Sequence, residues 1–239
     1  MTGELEIETP HGPARAHVRP ADDARGLLVL GHGAGGGVGA RDIVAAAGAA
    51  LAEGFTVALV EQPYRVAGRR APAPAHQLDA AWLAVVERLR GGDLAGLAFV
   101  AGGRSLGGRV ACRTAAAAGA VGVLCLAFPL QPPRRSTPSR LPELEQVTVP
   151  VLIVQGERDP FGVPPAAPRR TVALVPGDHG LKADVGAVAA AVRPGSAGCR
   201  RTPESTRLFP LMPFASRADM TGMRSRRGGA GSNKGVRNA

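Results

Sequence analysis

Hydrophobic residues in this chain fall into short runs that alternate with helical patterns, which predicts an α/β fold with a largely parallel sheet. Two segments near the N-terminus instead alternate polar and apolar residues and flank a Thr-Pro-His-Gly-Pro turn, which predicts an antiparallel pair. The later apolar runs predict strands buried on both faces. The predicted strands cover residues 4–8 and 14–19 for the pair, and 27–30, 55–60, 97–102, 121–128, 149–156 and 171–176 for the buried set.

Four helices are predicted between these strands, over residues 42–54, 76–90, 107–119 and 182–192. In the second of them, apolar residues recur at i, i+4, i+7, i+8 and i+11, which is one face of a helix. Trp82 belongs to that face, so we expect it in the core. The proline-rich segment 129–142 has no periodicity, and we predict a loop that is too short to form a lid domain.

The pattern stops at Pro194, so we predict one α/β domain over residues 1–194 and a disordered basic tail over 195–239. The tail carries nine Lys and Arg against two Asp and Glu, which is +7 of the net charge of +10. This distribution argues against a nucleic-acid surface on the body and leaves a polyanion-binding tail as an alternative. A second alternative is that the C-terminal sequence is aberrant and out of frame.

Several functional classes are disfavoured by what the chain lacks. No apolar run reaches the roughly 18 residues that span a bilayer. The N-terminus, MTGELEIETP, does not resemble a secretory signal, so we expect a cytoplasmic protein. The three cysteines, Cys112, Cys125 and Cys199, form no CxxC pair, and no HExxH motif occurs, so neither a disulfide framework nor a metal site is expected.

The strongest chemical motif is Gly-Arg-Ser-Leu-Gly at residues 103–107. It lies between a predicted strand and a predicted helix, which is the setting of a nucleophile elbow. In such a turn the serine has strained dihedral angles, and glycine at positions −2 and +2 avoids a collision. The helix that follows would present free amide groups to an oxyanion. We therefore predict that Ser105 is a nucleophile; a helix N-cap is the structural alternative.

A nucleophilic serine needs a base, and the base needs an acid, in the order Ser, acid, His along a chain of this fold class. His179 is the only histidine after Ser105, and it follows the last predicted strand. Asp159 lies on the turn after the preceding strand, with Glu157 and Asp178 as competitors. Because adjacent residues on a turn rarely point at each other, Asp178 is disfavoured. We predict the triad Ser105, Asp159 and His179.

The oxyanion hole requires two backbone amides. One is predicted at Leu106, directly after the nucleophile. The other is predicted on the glycine-rich loop after the first central strand, at Ala34 with Gly35 as the near alternative. Arg65 lies in a basic stretch after the next strand and is a candidate for binding an anionic substrate; a solvated basic loop is the other interpretation.

The same glycine-rich loop also matches a dinucleotide-binding fingerprint, because Gly31, Gly33 and Gly36 satisfy G-x-G-x-x-G and Glu61 ends the following strand. Two extra strands precede the loop, whereas the fingerprint usually opens its domain. A dinucleotide site would also leave the Ser, Asp and His series unexplained. We keep it as a lesser alternative.

Six segments in this order resemble a small α/β-hydrolase family related to dienelactone hydrolases, whose members include a subunit of a eukaryotic chromatin-acetylating complex. They are GHGAGGG, EQPYRVAGRRAP, GGRSLGGRVA, FPLQPP, LIVQGERDPFG and PGDHG, and the resemblance covers residues 1–193. It implies an eight-stranded α/β-hydrolase sheet and the same triad. We predict a serine esterase that acts on a small acyl substrate without a cofactor. A catalytically silent fold used for binding is the alternative.

Overall fold

The protein is described by a computed structural model, which covers residues 3–131 and 138–193. All eight predicted strands are present, and their ends differ from the prediction by at most two residues. Their bounds are β1 Gly3–Ile7, β2 Ala14–Arg19, β3 Gly26–Gly31, β4 Phe55–Glu61, β5 Phe99–Arg104, β6 Gly122–Leu126, β7 Val151–Gly156 and β8 Arg170–Val175.

The strands form one sheet in the order β1-β2-β4-β3-β5-β6-β7-β8. The β1–β2 and β2–β4 pairs are antiparallel, and every other pair is parallel. The predicted antiparallel N-terminal pair and the predicted parallel sheet are therefore both confirmed. Because β3 to β8 run the same way, their carboxyl ends meet at one edge, where ligands bind in open α/β sheets.

Helices cover both faces of the sheet. One apolar core lies under the first and last helices, and a second core lies under the other four. The helices are α1 Arg41–Ala52, α2 Pro63–Val66, α3 Ala75–Leu89, α4 Leu106–Thr114, α5 Leu141–Glu145 and α6 Val185–Val192.

Two of these helices, α2 and α5, were not predicted. Each has five residues or fewer and contains a proline in its first turn, so it shows no helical period. The loop prediction for 129–142 is wrong at its end, where α5 begins. The predicted tail over 195–239, with Cys199, lies outside the described residues.

Residues singled out as core are buried. Trp82 lies on the buried face of α3. Cys112 on α4 and Cys125 on β6 are also buried, and their sulfurs lie 3.6 Å apart. Within the described ranges, no helix is both long and apolar enough to cross a bilayer.

Three backbone segments meet very closely at the carboxyl ends of β3 and β5. Gly31 and Gly103 are register partners on these strands, and Gly107 lies in the first turn of α4. A Cβ on Gly103 would lie 2.6 Å from the Gly31 carbonyl oxygen and 2.7 Å from the Gly107 carbonyl carbon. Glycine at position 103 is therefore required by packing against backbone, which has no flexible end to move aside.

We predict opposite stability effects for two Gly→Ala substitutions. Gly103→Ala should lower the free energy of unfolding by about 1–3 kcal/mol or more, because the methyl group overlaps backbone atoms. Gly48→Ala should raise it by about 0.5–1 kcal/mol, because a methyl group there restricts the unfolded chain. Gly48 lies on the exposed side of α1 with nothing within 4 Å of its Cβ position. Urea unfolding measures both values, and equal effects would contradict the packing argument.

Candidate active site

Ser105 occupies the turn between β5 and α4, and its backbone is strained. Its φ is 50° and its ψ is −104°, a conformation that L-residues rarely adopt. Although it stands at the N-cap position of α4, its side chain makes no capping hydrogen bond. The N-cap alternative therefore does not describe this serine. The strain persists because the surrounding backbone determines it, as is common at functional sites.

A chain of hydrogen bonds joins Ser105 to a histidine and a buried carboxylate. The Ser105 Oγ lies 3.0 Å from the His179 Nε2, and the His179 Nδ1 lies 2.8 Å from the Asp159 Oδ2. Because an ionised carboxylate only accepts, Nδ1 carries the proton and donates it to Asp159. In the neutral ring Nε2 is then an acceptor, and it faces the serine hydroxyl.

The other two candidate acids lie elsewhere. Glu157 is exposed on the turn after β7. Asp178 is also exposed, and its Oδ1 accepts a hydrogen bond from the Gly180 N–H at 2.8 Å. The structure thus brings Asp159, rather than Glu157 or Asp178, to the imidazole of His179.

Gln155, which the sequence analysis missed, holds the carboxylate of Asp159. It is fully buried on β7, and its Nε2 donates to the Asp159 Oδ2 at 2.7 Å. Its own Oε1 accepts from the Phe128 N–H at 2.8 Å. The other carboxylate oxygen accepts from the Phe161 N–H at 2.8 Å, and the Phe161 ring lies 4.4 Å from the imidazole of His179. The signal in the sequence that could have identified Gln155 is a polar residue within the otherwise apolar strand β7.

The amides predicted for the oxyanion hole belong to the residue after Ser105 and to the loop after β3, where the Cβ position of Gly33 lies 3.7 Å from the Ser105 Cβ. The N–H of Leu106 belongs to the first turn of α4, where no intrahelical acceptor exists. Ala34 and Gly35 lie on the loop after β3. No acceptor for any of these three N–H groups occurs within the described part of the chain. Ala34 and Gly35 both stay candidates for the second donor.

Two buried side chains fix this loop. The Tyr64 hydroxyl donates to the Ala34 carbonyl at 3.1 Å. The His32 Nδ1 donates to the Gly33 carbonyl at 2.8 Å, and its Nε2 accepts from the Gln62 N–H at 3.1 Å. Burial lowers the pKa of His32 and raises the pKa of Tyr64 to about 12, so both side chains are neutral at pH 7. Each therefore keeps the proton pattern that these bonds require.

The basic stretch after β4 differs from a uniformly solvated loop. Arg65 lies in α2 and is partly buried, and its Nε is buried without a hydrogen-bond partner. Arg69 and Arg70 are exposed. Within the described residues, no carboxylate forms an ion pair with Arg65.

The chain matches a known family model. The model described as an alpha/beta hydrolase domain matches residues 24–184, which is more than half of the chain. The chain belongs to the α/β-hydrolase family. The resemblance inferred from the six sequence segments is confirmed, and so is the predicted fold class.

Solved structures of α/β hydrolases share the fold at low sequence identity. A serine hydrolase without a lid from Xanthomonas campestris is 22% identical with a TM-score of 0.64, covering 80% of this chain and 91% of that chain. Est1E from Butyrivibrio proteoclasticus is 19% identical with a TM-score of 0.65, covering 80% and 96%. A dienelactone hydrolase from Anabaena variabilis is 15% identical with a TM-score of 0.64, covering 80% and 93%. No curated protein sequence matches this chain.

The glycines of the dinucleotide-like motif have identifiable packing roles in this hydrolase. The Cβ position of Gly31 lies 3.3 Å from the Gly107 Cα, and that of Gly33 lies 2.7 Å from the Arg104 Nη1. Only Gly36 has open space at its Cβ position. The first two glycines therefore allow the loop to pack against the elbow.

The low pKa of His32 predicts a loss of stability in acid. The unfolded chain binds a proton on this histidine near pH 6.5, whereas the folded chain binds it only at lower pH. The free energy of unfolding should therefore fall as the pH drops below 6.5 and towards the folded pKa, by up to about 1.4 kcal/mol per pH unit.

The measurement is urea unfolding of the native protein and His32→Gln at about pH 7.5 and about pH 5.5, which bracket the ordinary histidine pKa. His32→Gln should lose this part of the pH dependence, and His76→Gln, which changes an exposed histidine, should keep it. The same pH dependence in the native protein and His32→Gln would show that His32 is not responsible.

Proposed function

We propose that this hydrolase is a cytoplasmic serine esterase that cleaves a small ester or a related acyl substrate without a cofactor. The observation that carries the proposal is the geometry at Ser105. A strained serine at the start of a helix lies 3.0 Å from a histidine whose other nitrogen lies 2.8 Å from a buried aspartate. This is the arrangement that activates a weak hydroxyl nucleophile.

In the first half-reaction, the Ser105 Oγ attacks the carbonyl carbon of the ester. His179 Nε2 takes the hydroxyl proton as the new C–O bond forms. The tetrahedral oxyanion accepts hydrogen bonds from the Leu106 N–H and from Ala34 or Gly35. When it collapses, the bond to the leaving alkoxide breaks, and His179 returns the proton to that oxygen. The product is an alcohol and an acyl group on Ser105.

In the second half-reaction, water attacks the acyl carbon and His179 Nε2 takes its proton. Collapse of the second oxyanion breaks the bond to the Ser105 Oγ, which regains its proton from His179. Asp159 keeps the imidazole in the tautomer with a proton on Nδ1 throughout. Gln155 donates to one oxygen of that carboxylate and the Phe161 N–H donates to the other, so its orientation does not depend on His179 alone.

We predict that Ser105 reacts with a fluorophosphonate probe, because an activated serine oxygen attacks the phosphorus, displaces fluoride and is left as a phosphonate ester. Ser105→Ala should abolish labelling and lower kcat/KM for short-chain aryl esters by roughly 10⁴-fold or more. Ser139→Ala is the matched control, since it removes the hydroxyl of another described serine outside the site. It should label and turn over like the native protein. Mass spectrometry of the labelled peptide and an ester panel provide the measurements.

Two outcomes would contradict the proposal. Labelling that persists in Ser105→Ala would place the reactive serine elsewhere. A native protein that neither labels nor turns over any ester would favour the alternative of a silent fold that serves for binding.

We further propose that Arg65 binds an anionic group on the substrate. A buried guanidinium nitrogen without a partner is costly, and a carboxylate matches the forked geometry of arginine. Arg65 follows Tyr64, whose hydroxyl bonds to the Ala34 carbonyl, so α2 adjoins the loop of the oxyanion hole. An acyl group with a terminal carboxylate would satisfy both the reacting serine and this arginine.

The prediction compares an aryl hemisuccinate with the corresponding neutral butyrate ester. Arg65→Gln should raise KM for the hemisuccinate by about 10- to 100-fold, the value of a lost charge-assisted hydrogen bond, and leave KM for the butyrate within about threefold. Arg69→Gln, which changes a nearby exposed arginine, should leave KM for both esters nearly unchanged, because salt screens the charge of an exposed side chain. An equal effect of Arg65→Gln on both esters would contradict the assignment.

A further inference from the structure

We propose that Arg104, anchored by Asp42, is a positioning residue that holds the backbone of His179 against the nucleophile turn. The inference deepens the proposed function, because it concerns how the base reaches Ser105. Arg104 is the last residue of β5 and precedes the serine directly. Its side chain contacts two other loops of the site, the one after β3 that contains Gly33 and the one after β8 that contains His179.

Each nitrogen of the Arg104 guanidinium faces a different segment. The Nε donates to the Asp42 Oδ2 at 2.9 Å, and the Nη2 donates to the backbone carbonyl of His179 at 3.0 Å. The Nη1 packs over Gly33, where a Cβ would lie only 2.7 Å away. The planar guanidinium therefore contacts the loop after β3 at Gly33, the start of α1 at Asp42 and the loop after β8 at His179. A lysine ammonium has a single nitrogen and cannot occupy all three positions.

Asp42 is the fixed end of this connection. It lies in the first turn of α1, the helix that follows the oxyanion loop, and it is 2% exposed. A buried carboxylate needs a charged or hydrogen-bonding partner, and the guanidinium of Arg104 is the ion-pair partner of Asp42. Burial raises the pKa of Asp42, and the charge of Arg104 opposes that rise. The ion pair thus keeps the guanidinium in one orientation, from which Nη2 reaches His179.

The hydrogen bond from Arg104 to His179 restrains the backbone of His179, which the triad hydrogen bonds do not hold directly. The Asp159 carboxylate and the Phe161 ring act on the imidazole, so they limit rotation of the side chain. Arg104 acts on the main chain of the same residue, so it limits displacement of the loop. A misplacement of about 1 Å between reacting groups can cost roughly 100-fold in rate. Arg104 therefore supports turnover rather than substrate binding.

The test measures kcat and KM for an aryl ester, together with urea stability, in Arg104→Lys, Asp42→Asn and Arg113→Lys. Arg113→Lys is the matched control, because Arg113 on α4 is as buried as Arg104 and also pairs with a carboxylate, that of Asp79 on α3, but on the other face of the sheet. Arg104→Lys should lower kcat by about 10- to 100-fold and leave KM within about threefold. Asp42→Asn keeps an acceptor oxygen and should show a smaller loss of kcat. The control should keep kcat even where it loses stability.

A spectroscopic readout separates positioning from a general structural role. The proton shared by the His179 Nδ1 and Asp159 should give a low-field NMR resonance in the native protein and in Arg113→Lys. It should broaden or disappear in Arg104→Lys, because a displaced loop exchanges this proton with water. Unchanged kcat and an unchanged resonance in Arg104→Lys would overturn the proposal. A loss of kcat that only parallels stability, in the control as well, would also overturn it.

This resonance keeps the two proposals distinguishable. If the native protein shows neither turnover nor labelling of Ser105, the proposed esterase function has failed. The resonance still decides whether Arg104 holds His179, since it does not depend on catalysis.

Discussion

The close approach of three backbone segments, at Gly31, Gly103 and Gly107, is the constraint on which the rest of the site depends. A Cβ at position 103 would overlap both of the other segments. Because glycine has no Cβ, β5 can end beside β3 and the chain can turn at once into α4. That turn leaves Ser105 at a φ of 50° with its side chain outside the helix cap. The same contact sets the start of the loop after β3 next to Ser105, so two parts of the candidate site follow from one packing arrangement.

Around this contact, polar side chains are buried in pairs that satisfy one another. Gln155 bonds to Asp159 and to the backbone of Phe128, while Asp42 bonds to Arg104. A buried polar group without a partner costs roughly 1–3 kcal/mol, whereas a satisfied network fixes one geometry. Rigidity at the carboxyl edge of the sheet therefore comes from hydrogen bonds, and the apolar layers beneath the helices supply the frame. The Nε of the partly buried Arg65 and the Oε1 of Gln62 are exceptions near this edge, since neither has a hydrogen-bond partner within the described residues.

The strands and the long helices could be predicted because burial imposes a period on the sequence, as in α3. The order of Ser105, Asp159 and His179 could be predicted because each follows a strand end. The short helix α2 could not, because its four residues show no helical period. Nor could the partners of Arg104, which lie 62 and 75 residues away in the chain and meet it only through the sheet order. Sequence patterns report local periodicity, whereas these contacts follow from which strand lies beside which.

The glycine-rich loop shows how one pattern can serve two kinds of chemistry. In a dinucleotide site, glycines let a pyrophosphate approach the backbone at the start of a helix. Here, the space that a Cβ of Gly33 would fill is occupied by the Arg104 guanidinium, and the space at Gly31 by the backbone of Gly107. The absent side chains thus admit parts of the protein rather than a ligand. What distinguishes the two interpretations is therefore the neighbour of each glycine, which depends on β5 lying beside β3 and on the side chain of Arg104, which precedes Ser105.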